Sequence, residues 1–310
     1  MDKVSQARIV APALLLGAML IVVPAFAQTD LSGEWRVVRS EDNFHNPYNG
    51  DTGGLPMNAS AFRRADGWDA SIQSLPEWQC RPHSGAYITR GPSALKIFKQ
   101  VDPVSREIIA FHTEWLRSID NPIWMDGRGH PSELAPHTWS GFSTGEWQGD
   151  VLKVTTTHMK EDYVRRNGPP QGDRTTMTEY LSLRSVGNED FLSWTKVVYD
   201  PDYLTEPLVR TTEYIRRPNA QVPPYPCTIV TEVDWPKGYV PSWFPGENPH
   251  LGEHEEHLGI PAEASRQGAI TMYPEFRQII KENGWEARRF ESNTPTFEQQ
   301  QNQPAPPQQR

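Results

Sequence analysis

Thr138-Trp-Ser-Gly-Phe-Ser-Thr-Gly-Glu-Trp147 and Val151-Leu-Lys-Val-Thr-Thr-Thr-His158, joined by Gln148-Gly-Asp150, read as two β-strands and the turn between them. Val, Thr, Phe and Trp suit a pleated, half-buried surface. Gly149 accepts a positive φ cheaply, so Gln148-Gly149 reads as a two-residue turn. That turn sets Trp147 opposite Asp150, Ser143 opposite Val154 and Trp139 opposite His158. Side chains alternate along a strand, so His158 shares a face with Leu152, Val154 and Thr156.

Six more runs carry the same signature, at 33–39, 94–101, 107–116, 175–183, 191–199 and 208–217. Turn residues separate them, and Val186-Gly-Asn188 reads as another hairpin turn. Eight such strands predict an all-β fold, an antiparallel β-barrel with long loops and a short C-terminal helix. Residues 40–80 read as a long loop over the barrel mouth, with a short helix near 58–65. Residues 218–262 are irregular and rich in Pro and Gly. The helix is predicted over 272–284, with Pro274 in its first turn and Gly284 as its stop. The Gln- and Pro-rich stretch 291–310 reads as a disordered tail.

Residues 1–27 read as a signal peptide. Lys3 and Arg8 precede an apolar core, and Ala25 and Ala27 supply small side chains at the cleavage site. The apolar core is shorter than the roughly 20 residues of a membrane span. The expectation is a periplasmic or secreted protein of a Gram-negative bacterium, with no stable membrane insertion after signal removal. One β-barrel domain then occupies 28–290. The 310-residue chain carries a net charge of −9, which disfavours nucleic acid and anionic membrane surfaces as partners. Its two cysteines, Cys80 and Cys227, form a structural disulfide as the simplest reading in an oxidising compartment.

Leu31-Ser-Gly-Glu-Trp35 opens the mature domain. A Gly-x-Trp on a first strand resembles the entrance of lipocalin-type barrels. There, a late arginine lies over the tryptophan as a cation on an aromatic face; Arg216 or Arg217 fits that part. Further motifs are Asp126-Gly-Arg-Gly-His-Pro131, Thr155-Thr-Thr-His-Met-Lys160, Thr176-Met-Thr-Glu179, Asp200-Pro-Asp-Tyr-Leu-Thr-Glu-Pro207 and Thr271-Met-Tyr-Pro-Glu275. Together with the stretch 139–150 they resemble a large family of secreted proteobacterial proteins, over roughly residues 30–285. The resemblance implies export and brings no activity with it. Where that family commonly has His after Thr-Met-Thr-Glu, this chain has Tyr180.

Glu179 shares its strand face with Met177, Leu181 and Leu183, so one Glu and one His are expected to point into an apolar interior. Ionisable groups buried in that way need partners or shift their pKa values, which makes them site candidates. The candidate catalytic residues are His158, Glu179 and His130. The candidate ligand-binding residues are Asp126, Arg128, His137 and Trp139. Imidazole suits proton transfer near neutral pH, and guanidinium suits a carboxylate or oxyanion. The alternative is a hydrogen-bonded network in the lid, with Asp126 and Arg128 paired to each other. No metal site is expected: the spacing of His130, His137, His158 and Glu179 does not demand one. His250, His254 and His257 lack the zincin order and read as a solvated, charged surface segment. No nucleotide or phosphate-loop motif occurs, and no cofactor is expected. The leading reading is a barrel that binds a small apolar or amphipathic molecule. Its rivals are an enzyme (hydrolase, hydratase/lyase or isomerase) using His158 and Glu179, and an envelope protein that binds another protein through residues 218–262.

Overall fold

The computed structural model describes residues 29–40, 47–118, 120–220, 222 and 233–285. The strands are β1 (Gly33–Arg39), β2 (Leu95–Val101), β3 (Ile108–Glu114), β4 (Asn121–Trp124), β5 (Phe142–Gln148), β6 (Val151–Thr157), β7 (Asp162–Tyr163), β8 (Pro170–Gln171), β9 (Thr176–Val186), β10 (Glu189–Tyr199) and β11 (Leu208–Arg216). Nine of them close into one barrel in the order β1-β11-β10-β9-β6-β5-β4-β3-β2, and β7 pairs with β8 apart from it. All eight predicted strands are present. The barrel has a ninth, β4, and is mixed rather than wholly antiparallel, because β4 runs parallel to β5. Pro122 hid this short strand, since a proline removes one ladder donor.

The β5–β6 hairpin turns at Gly149-Asp150, one residue later than predicted, so Gln148 pairs with Val151 and Ser143 with Thr156. Gly149 takes the expected positive φ, +66°. A two-residue shift in partner keeps every side chain on its predicted face. At the far end the prediction fails. The strand stops at Thr157, and His158 adopts a left-handed φ of +59°. The ring therefore leaves the inward face that Leu152, Val154 and Thr156 occupy. Trp139 does not pair with His158; a single parallel bridge joins Thr138 and Met159.

Trp35 closes one end of the barrel, fully buried. The Arg216 guanidinium lies 4.3 Å from its ring centroid, which chooses Arg216 over Arg217. A Cβ at Gly33 would meet Arg216 Nη1 at 2.4 Å, so the glycine of Gly33-Glu-Trp35 is what lets the arginine cover the indole. Above Trp35 the interior is filled by Leu95, Ile97, Phe111, Ile123, Leu152, Leu181, Leu192, Trp194 and Tyr214.

Toward the other end the inward positions become polar. Glu179 is 2 % exposed, and its carboxylate accepts from Trp194 Nε1 at 2.9 Å and lies 3.1 Å from Lys196 Nζ. Thr156 donates to its second oxygen at 3.3 Å and meets Ser143 at 2.8 Å. Residues 83–91 are buried and plug this end as a run of turns. Their carbonyls would lack partners there, which is costly away from water. Lys196 donates to Gly85 O at 2.9 Å, Arg210 to Ala86 O and Ile88 O, and Thr212 to Thr89 O at 2.6 Å. The buried cations are thus the anchors of the plug.

Helices lie outside the barrel. α1 (Ala59–Asp66) is capped by Asn58, whose side chain accepts from Ser60 N and Ala61 N. α2 (Pro76–Gln79) follows on the same loop. α3 (Glu253–Leu258), α4 (Ala262–Ser265) and α5 (Phe276–Asn283) come late in the chain. α5 starts four residues later than predicted and stops at Gly284, φ +66°. Cys80 is disulfide-bonded; Cys227, the signal segment and the 291–310 tail lie outside the described residues. No helix among the described residues is long and apolar enough to cross a membrane.

Candidate functional site

The predicted pair His158–Glu179 is not brought together. Glu179 is consumed inside the barrel by Lys196, Trp194 and Thr156. His158 sits at the end of β6, where Nδ1 meets Thr157 Oγ1 at 2.7 Å and Nε2 meets Ser132 O at 2.9 Å. His130 does lie near it, held by Thr157 Oγ1 at 2.8 Å and Thr144 Oγ1 at 2.9 Å. Burial and the neighbouring His158 lower its pKa. His137 packs edge-on to His158 and meets Met159 O at 2.9 Å through Nδ1. Asp126 and Arg128 pair with each other at 2.9 Å, and Arg128 covers Trp124. These residues form a satisfied polar network around the end of β6. The described residues contain no group of three or more His, Cys, Asp or Glu arranged to hold a metal ion.

Two adjoining cavities lie beside the plug, of about 380 Å³ and 400 Å³, with Tyr163 as their shared wall. The β7–β8 hairpin places Tyr163, and its buried strand residues pack beside the plug. Six rings form a continuous array. Trp68 and Trp78 meet edge to face at 5.9 Å, and Trp78 lies parallel to Tyr163 at 6.0 Å. Tyr163 meets Tyr87 at 5.7 Å, Tyr87 stacks on His83 at 4.2 Å, and His83 reaches Trp115 at 6.1 Å. Edge-to-face and offset contacts at these separations suit the aromatic quadrupole. A Cβ on Gly168, φ +104°, would come within 2.5 Å of Trp68 Cβ, so only glycine lets the chain pass behind that indole.

Guanidinium groups line the same space. Arg81 is sandwiched between Trp78 and Trp139, 4.2 Å and 4.4 Å from their centroids. It also pairs with Asp162 at 2.9 Å. Trp139, a predicted ligand residue, therefore supports the site from behind. Arg117 donates through Nη2 to the carbonyls of Trp78, Gln79 and Arg81, which ties α2 to the barrel. Arg166 lines the second cavity with it, and Arg64 pairs with Glu161 at the edge of the first.

The local field follows from this arrangement. Burial, then Arg117, Arg166 and Arg81, push the His83 imidazole down to about 3. His83 is therefore neutral at physiological pH. Burial pushes the Asp162 carboxyl up to about 6, against the pull of Arg81 and the bond from Ser84 N. Burial outweighs the ion pair because the carboxyl is almost wholly withdrawn from water. Tyr163 is raised too, first by burial and then by Asp162.

Apart from Trp139, none of these residues was singled out in the sequence. Trp68, Trp78, Arg81 and His83 lie in or just after the segment read as a loop over the mouth. Bulky aromatic rings in a loop were the available signal. Compared with models of known protein families, with curated proteins and with solved structures, the chain matches none of them. The function must therefore be argued from the geometry of the site.

Proposed function

We propose that the protein is an exported barrel that binds a small amphipathic molecule, a flat ring system bearing an acidic group, in the cleft around Tyr163. The observation that carries this reading is the six-ring array facing two joined cavities with Arg81, Arg117 and Arg166 beside it. Aromatic walls take up flat apolar surface, and a few placed polar groups fix its orientation. Burial is the main cause of the depressed His83 pKa, but Arg117, Arg166 and Arg81 add to it, and these guanidinium groups around the second cavity favour an anion. The barrel supplies a rigid frame rather than a cavity of its own. Export, and membership of the secreted proteobacterial family that the motifs resemble, belong to the same proposal; they rest on the leader pattern and on those motifs.

The test is titration calorimetry with 2-naphthoate, against 2-acetylnaphthalene as the uncharged analogue. Naphthoate should bind with measurable heat and the ketone about tenfold more weakly or worse. Trp78→Ala and Trp115→Ala should each weaken naphthoate binding. Equal affinity for both compounds, or none for either, would overturn the proposal.

A catalytic version of the site is favoured by one observation. Asp162 lines the first cavity and titrates at about 6, in the range of a general base or acid. Turnover that is lost in Asp162→Asn while naphthoate still binds would select this version.

A further inference from the structure

Residues 126–137 lie between β4 and β5. None of them is buried, and Leu134 is 95 % exposed, so apolar packing does little to hold the segment. Among the described residues, every hydrogen bond from the segment to the rest of the chain runs through an imidazole ring. His130 reaches Thr144 and Thr157, His137 reaches Met159 O, and His158 at the end of β6 reaches Ser132 O. The left-handed backbone at His158 is what turns its ring onto the segment. The run His250–His257 is different. His254 is only 3 % exposed, so the expectation of a solvated histidine segment is wrong for this residue. One turn of 3₁₀ helix, Pro249–Gly252, precedes α3 and turns it inward, while His250 pairs with Glu253 and His257 stacks on Tyr48.

The partners fix where each proton sits. Ser132 O only accepts, so His158 Nε2 carries a proton and donates at 2.9 Å. In the neutral ring Nδ1 is then an acceptor, and the Thr157 hydroxyl donates to it at 2.7 Å. Thr157 has no second proton, so its oxygen accepts from His130 Nδ1 at 2.8 Å. His130 Nε2 in turn accepts from the Thr144 hydroxyl at 2.9 Å. One chain of hydrogen bonds thus runs from Thr144 to Ser132, crosses from barrel to segment and back, and needs both rings neutral.

One added proton is accommodated, because the two hydroxyls turn round and the chain runs the other way. A second is not. Both Nδ1 atoms would then donate to Thr157, whose own proton loses its partner. Two cations would face each other across one oxygen, no more than about 5.5 Å apart, with the His137 ring 5.3 Å from that of His158. Among the described residues no carboxylate pairs with any of the three rings. Asp126 is taken by Arg128, Glu146 by Lys153, Glu161 by Arg64, and Glu179 by Lys196 inside the barrel; Glu133 is exposed and bonds to none of them. Lys160, over Trp139, adds only positive charge. In the undocked segment both rings are in water and take up protons near the ordinary imidazole value of about 6.5. The undocked state therefore binds more protons and gains on the docked state as pH falls. We infer that residues 126–137 are an acid-released flap, held to the β5–β6 end of the barrel at neutral pH by the hydroxyl-linked rings of His130 and His158 and let go when both are protonated.

The inference does not depend on the cleft at Tyr163. The full chain, deuterated and ¹⁵N-labelled, would be followed by NMR between pH 7.5 and pH 5. Histidine ¹⁵N shifts at pH 7.5 should place the proton on Nε2 of His158 and on Nδ1 of His130. Backbone order parameters within the flap should be about 0.85 at pH 7.5 and below about 0.6 at pH 5, with β9 and β10 rigid at both. Below pH 6.5 the ratio of released to docked flap should rise by up to about tenfold per unit for one extra proton. The double variant His130→Gln, His158→Gln should remove the pH dependence of flap order. Thr157→Val deletes the shared hydroxyl and should leave the flap loose at both pH values. Flap order unchanged from pH 7.5 to pH 5, loosening shared by β9 and β10, the opposite tautomers, or the parent's pH dependence persisting in the double variant would each overturn the inference.

Discussion

Glu179 and Lys196 form an ion pair 3.1 Å apart inside the barrel, at 2 % and 1 % exposure. They are adjacent on β9 and β10, and Arg210 of β11 lies directly beside Lys196. Burial draws the Lys196 pKa down to about 8 against the pull of Glu179. The pair sits where a functional reading of the sequence would put an active site. Its contacts make it structural instead. Lys196 holds the plug through Gly85 O, and Glu179 holds Lys196.

Removing one member should therefore cost far more than removing both. Lys196→Met leaves a buried carboxylate without its cation and should lower stability by about 3–5 kcal/mol. The double variant Lys196→Met, Glu179→Gln should recover a good part of that loss. Urea denaturation of the four proteins of the cycle measures it; additive losses would contradict the arrangement.

His83 should make the fold acid-sensitive. Its pKa falls from an unfolded value of 6.5 to about 3 in the fold. Between those values the unfolded chain binds a proton that the folded chain refuses. Stability is therefore full above pH 6.5 and declines as pH falls toward 3, by up to about 1.4 kcal/mol per unit from this group. His83→Gln should flatten that decline between pH 6.5 and 4 in thermal melts. A slope as steep as the parent's would reject the assignment.

Asp162 should tie ligand affinity to pH. Its carboxyl titrates at about 6 beside the proposed anion site. Below that pH the carboxyl is neutral, and Arg81 is free to face an anion. Naphthoate affinity should rise as pH falls from 7.5 to 5, by no more than about tenfold per unit for one proton taken up. Asp162→Asn should remove the dependence. Affinity that falls over the same range would argue against an anionic ligand.

Gly168→Ala tests the packing behind Trp68. The new Cβ would meet Trp68 Cβ at 2.5 Å, and the φ of +104° is already strained for any L side chain. Trp68 must move, so naphthoate affinity should drop by about tenfold or more, with a stability loss of about 1–3 kcal/mol. Unchanged binding would remove Trp68 from the site. A serine substituted at Gly149, where nothing lies within 4 Å, should cost only the backbone strain at its positive φ.

Much of the barrel was legible because strands write themselves with a period of two. The inward positions of β6 and β9 followed from alternation, and Glu179 was placed inside on that ground alone. His158 failed by the same rule. Alternation assumes that the strand continues, and a left-handed residue at its end turned the ring outward. His254 failed similarly, because six residues of helix after a 3₁₀ turn give no clear period to read.

By itself the sequence determined the strand-rich fold, the Gly33–Trp35 entrance with an arginine to cover it, the short helix that begins after Asn58, and the Gly187 and Gly284 turns. These depend on local preference and on neighbours a few residues apart. Only the tertiary structure decided what the buried charges are for and where a ligand can lie. Lys196 meets Gly85, Arg81 meets Asp162 and Trp139, and Trp78 meets Tyr163, each pair far apart along the chain. Such contacts are set by barrel closure and by how the loops cover its mouth, and no local pattern encodes them.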